Sequence, residues 1–67
     1  MFCTVNTENM RPVRVAAGIS ARVALDDLRS RFVVEGGSLE NDEGIMVSGD
    51  TTLVEGAVYT FTDFRGR

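Results

Sequence analysis

The sequence has no histidine, and all seven of its basic residues are arginine, so it has no lysine either. Histidine is the commonest general base near neutral pH, the usual partner of a serine or cysteine nucleophile, and the commonest metal ligand. Without lysine, no side-chain ammonium can form a Schiff base, accept an acyl group or carry an isopeptide bond. A phosphate loop of the GxxxxGK type is ruled out for the same reason. The chain has a single cysteine, so it cannot build an internal disulfide framework. No apolar run approaches the ~20 residues that a membrane-spanning helix needs. The opening MFCTVNTENMR has no basic segment followed by a long apolar stretch, and so does not read as a secretory signal. With the lone thiol, this predicts a reducing, cytoplasmic setting.

What is present is ordinary for a folded domain. The 67 residues are 43% hydrophobic and 25% charged, a balance that argues against disorder. A chain this short forms one domain and buries only roughly 60% of its unfolded surface. The net charge of −3 is unevenly spread. Residues 1–34 carry five arginines against three carboxylates, and residues 35–67 carry two arginines against seven carboxylates. Two solvated faces explain this polarity most simply. Complementary patches, for a protein partner or for a second copy, are the sharper reading.

The pattern of elements follows from periodicity. In MFCTVN, Met1, Cys3 and Val5 share one side of a strand. A polar TENM break precedes RPVRVAA, where Val13 and Val15 alternate with Arg14 and Pro12 marks a strand start or an edge. These two runs predict a hairpin over 1–17. Ser20 is a plausible N-cap for a helix over 20–34, with Ala21, Ala24, Leu25, Leu28 and Phe32 as its apolar stripe. Asp27 and Arg31 are four residues apart in the favourable order. Gly36-Gly37 suits a left-handed helix end. Short strands at SLEN and IMV, turns at Asn41–Gly44 and Glu55-Gly56, and a last strand AVYTFTDF fill 37–64, leaving 65–67 as a tail. In the last strand, parity alone leaves open whether Ala57, Tyr59 and Phe61 or Val58, Thr60 and Thr62 face inward.

This order of elements, ending on TLVEGAVYTF, resembles the ubiquitin-like β-grasp superfamily over nearly the whole chain. The resemblance implies an α+β roll with an N-terminal hairpin, one helix and a mixed sheet. Its C-terminal strand would lie centrally, parallel to the first. A ferredoxin-like half or another small α+β roll would give a similar string. Ubiquitin-like modifiers and sulfur carriers end on Gly-Gly, whereas this chain ends Arg65-Gly66-Arg67 and departs from them at that position. RPVRV followed by an Ala/Leu-rich helix and an acidic second half is similar to the superfamily's head-to-tail interaction domains. Those pair a basic face with an acidic one. Bacterial ubiquitin-like proteins of conjugation or antiphage operons are similar in a general way.

The chemistry in the residues is sparse. Cys3 at an inward strand position is a small core hydrophobe rather than a nucleophile. Asp42, Glu43 and Asp50 lack the alternate spacing and closing glutamate of a calcium loop, so no metal ligand set is assigned. A pI near 4.7 weighs against nucleic-acid binding. No catalytic residue and no cofactor are expected. The expectation is a non-catalytic interaction module that contacts another protein, or itself, through Arg14, Arg29 and Arg31 or through Glu40, Asp42 and Glu43. The alternatives are a modifier or sulfur carrier acting through its C-terminus, and a small acidic inhibitor from a phage or mobile element.

Overall fold

A computed structural model describes residues 1–7, 11–34 and 36–62. Phe2–Thr7 (β1) and Val13–Ala16 (β2) pair antiparallel, with Cys3 opposite Val15 and Val5 opposite Val13. The chain then forms the helix Ala21–Phe32 (α1), the short strand Ser38–Glu40 (β3) and the last strand Val58–Thr62 (β4). β4 runs parallel to β1, with Tyr59 beside Val5, and antiparallel to β3, with Phe61 beside Leu39. The product is a small α+β fold: one helix and a four-stranded mixed sheet in the order β2-β1-β4-β3. The last strand is therefore interior, and β2 and β3 are the sheet's edges.

One face of the sheet is apolar because alternation places Cys3, Val5, Val15, Leu39, Tyr59 and Phe61 on it. Ala21, Ala24 and Leu28 of α1 close over that face, and Leu53 joins them from the loop before β4. The rings of Phe32 and Phe61 lie 5.7 Å apart and tilted. Each fully buried leucine or valine contributes about 1.5–3 kcal/mol relative to leaving it in water. The open parity question in β4 is thus resolved: Tyr59 and Phe61 point inward, while Val58, Thr60 and Thr62 take the other face.

The helix begins where expected and ends earlier. Ser20 Oγ accepts the Val23 N–H at 3.3 Å, as an N-cap does. The Ala21 and Arg22 N–H groups donate to the carbonyls of Thr51 and Gly49, at 2.8 and 3.0 Å. The end does not come at Gly36-Gly37. Val33 itself is the C-cap, with φ 56°, and its N–H donates to the Arg29 carbonyl. α1 stops at Phe32, not at residue 34.

A second expectation also fails. Ile45-Met46-Val47 is not a strand: it makes one isolated bridge, Met46 to Glu40, and Ile45 and Met46 are exposed. The preceding turn holds the segment at the sheet margin. Asn41 Oδ1 accepts from the N–H groups of Glu43 and Ile45, at 2.9 and 3.0 Å. Val47 alone of the three packs on the core. Asp63, Phe64 and the tail 65–67 lie outside the described residues, as does the 8–10 stretch between β1 and β2.

Candidate interaction edges

The six residues singled out for partner binding fall on two opposite edges of the sheet. Arg14 is the outward-facing residue in the middle of β2, with its guanidinium 5.9 Å from the centre of the Phe2 ring. Arg31, in the last turn of α1, reaches across to the same strand, where its Nη1 donates to the Arg14 carbonyl at 3.1 Å. The same guanidinium pairs with Asp27 at 2.8 Å, the expected i,i+4 contact. Among the described residues no carboxylate lies within 4.0 Å of Arg14, so its charge is uncompensated.

Arg29 does not join them. Two residues apart on a helix means about 200° around its axis. The Arg29 side chain accordingly turns the other way, donating to the Gly37 carbonyl at 3.2 Å and lying 3.7 Å from Asp26. Its role in the structure is to tie α1 to the approach to β3. The basic cluster is therefore Arg14 with Arg31, and the proposed triad is corrected to a pair.

The acidic residues gather at the far edge. Glu40 ends β3 and faces the open side of the sheet with Thr60 and Asn6. Asp42 and Glu43 are exposed in the turn that follows. Three inter-strand spacings, roughly 14 Å, separate β2 from β3. Physiological salt screens exposed charges over about 8 Å. The two edges therefore present separate fields of opposite sign and do not cancel each other.

Sequence reasoning missed the apolar ground beside Arg14. Phe2 and Ala16 stand opposite each other on the open face, and Val58 follows beside Thr4. Phe2 is 54% exposed. The hairpin register, which places Phe2 against Ala16, is the signal that would have found it. Arg22 and Asp50 also form an exposed pair at 2.9 Å that no periodicity announced.

The remaining chemistry is structural. Cys3 is buried, its thiol lies 3.5 Å from the Val15 carbonyl, and burial pushes its pKa up, away from the reactive thiolate. The N-terminus of α1 spends its free N–H groups on Thr51, Gly49 and Ser20, which leaves no anion cradle there. Among the described residues no three His, Cys, Asp or Glu side chains are grouped to hold a metal ion. No helix is long and apolar enough to cross a membrane. No family model matches the chain, and no curated protein matches it.

Proposed function

We propose that the chain is a ubiquitin-like β-grasp domain that works as a non-catalytic protein-interaction module in the cytoplasm. Support for the family comes from the sheet order β2-β1-β4-β3, with first and last strands parallel at its centre and one helix across one face. Support for the function comes from one observation above all: Arg14 and Arg31 meet on one sheet edge while Glu40, Asp42 and Glu43 occupy the other. Opposed fields of this kind steer encounter and select partners more than they add raw affinity. The partner is another protein, engaged through the basic edge.

The test is charge reversal. The double variant Arg14→Glu, Arg31→Glu is expected to lower partner affinity at least tenfold, which corresponds to about 1.4 kcal/mol. Its circular dichroism spectrum should stay unchanged, because both side chains are exposed and the Asp27–Arg31 pair is worth only about 0.3–0.5 kcal/mol. Reversal of Asp42 and Glu43 serves as the control for the far edge. Partner affinity that survives the basic-edge reversal would overturn the assignment.

A further inference from the structure

The two edges of the sheet differ in their main chains as well as in charge. In the β1–β2 ladder, the Ala17 N–H donates to the Met1 carbonyl at 3.1 Å. Antiparallel pairs alternate between hydrogen-bonded and non-bonded. With Phe2 opposite Ala16, the bonded pairs are Cys3–Val15 and Val5–Val13. The main-chain groups of Arg14 and Ala16 therefore point away from β1. Two bonds on the other side of β1 agree with this parity. The Thr4 N–H donates to Ala57, and the Phe2 carbonyl accepts from Gly56, both at 3.0 Å and both toward the β4 side.

Among the described residues, nothing pairs with that outer edge of β2 except Arg31, which covers the Arg14 carbonyl. The Arg14 N–H and both main-chain groups of Ala16 have no main-chain partner there. The opposite edge is closed, since Val47 donates to the Leu39 carbonyl at 2.8 Å and Asn41 to the Ile45 carbonyl at 2.9 Å. Pro12, which has no N–H, lies at the outward parity just before β2 and bounds the open stretch. An uncovered edge of this kind is a template for another strand.

We propose that β2 is a strand-addition site for an acidic, extended segment of a partner protein. This inference rests on the reading of the basic edge as an interaction surface and adds how the partner is held. The incoming segment pairs with the main chain of Arg14 and Ala16. Its N–H replaces Arg31 at the Arg14 carbonyl, and the released guanidinium turns to a carboxylate on the new strand. Alternate side chains of that strand meet Arg14 and the Phe2–Ala16 ground on the open face. A second copy is the wrong occupant: two β2 edges related by a two-fold axis would set Arg14 and Arg31 against their own counterparts.

The experiment uses the full chain, labelled with 15N, and an acetylated (Glu-Val)3 amide as probe. Saturable shifts are expected at the Arg14 and Ala16 amides, with hydrogen exchange there slowed at least tenfold. A (Lys-Val)3 peptide should not bind. N-methylation of the acidic peptide at alternate residues should weaken binding at least tenfold in one parity and leave it nearly unchanged in the other. Equal tolerance of both parities, with binding still lost in the Arg14→Glu, Arg31→Glu variant, overturns strand addition and leaves the charged-edge reading standing. Binding that ignores both N-methylation and charge reversal overturns both. Absence of shifts at Arg14 and Ala16 up to millimolar peptide also overturns strand addition, whatever the protein partner does.

Discussion

Gly37 and Phe61 are packed so closely that a β-carbon on Gly37 would stand 2.6 Å from Cζ of the ring and 2.8 Å from the Thr62 carbonyl oxygen. Gly37 also has φ +117°, a conformation that L side chains rarely adopt. The glycine admits the β4 aromatic to the core at the point where the chain turns into β3.

Gly37→Ala should therefore cost about 2–4 kcal/mol, from backbone strain and overpacking together. A domain of this size has only about 3–10 kcal/mol to lose. Gly44→Ala is the matched control, because Gly44 has φ +81° and no atom within 4 Å of the place a β-carbon would take. It should cost about 1–2 kcal/mol, from the left-handed backbone alone. Urea midpoints of the two variants provide the comparison, and equal losses would remove the Phe61 contact from the account.

Val33→Gly should stabilise the protein. Val33 holds a left-handed C-cap at φ 56° with its side chain 81% exposed, so the valine adds strain and little burial. Relief of that strain, less the extra freedom glycine brings to the unfolded chain, should yield about 0.5–1 kcal/mol. In a domain this small that is a rise in Tm of about 2–8 °C. A lower Tm would mean that the valine side chain has a packing role.

Tyr59→Phe should loosen the loop ahead of β4 while leaving the core filled. The hydroxyl accepts the Val54 N–H at 3.0 Å. Its loss should cost about 0.5–1.5 kcal/mol. Hydrogen exchange at the Val54 amide should speed up more than exchange at the core amides of β1. Uniform acceleration would show a global effect instead.

Cys3 links stability to alkaline pH. Burial, opposed in part by a main-chain hydrogen bond, raises its pKa above the ordinary 9.0. The folded state then keeps the thiol proton at a pH where the unfolded chain has released it. This contribution is fully present below about pH 9 and is lost as pH rises through the folded-state value. The stability advantage of the native chain over Cys3→Ala should shrink across that range in urea titrations. A constant difference from about pH 7 to about pH 11 would sink the claim. At about pH 8, a thiol reagent should label the unfolded chain faster than the native one.

Much of the fold was legible because it rests on local periodicity. The alternation of Cys3 and Val5, the Ala21–Ala24–Leu28 stripe and the Ser20 cap each involve neighbours along the chain, and the structure keeps all three. Arg14 and Arg31 could be proposed as exposed cations from the same patterns. The separation of Arg29 from Arg31 was legible too, in the helical period, but grouping by charge obscured it.

The remainder depended on contacts between distant segments. Both faces of VYTFT carry residues suited to a strand, so only packing against β1, β3 and α1 could choose Tyr59 and Phe61 for the core. Ile45 and Met46 look like a strand by composition, yet the Asn41 turn leaves them exposed at the sheet margin. Gly37 looked like a helix cap, but its lack of a side chain serves the ring of Phe61, far along the chain. The sequence by itself determined which segments are strand and which is helix, because those preferences are short-range. Tertiary structure alone decided which face is buried, which edge stays open and that Arg31 covers it, because each of these requires a partner brought near by the fold.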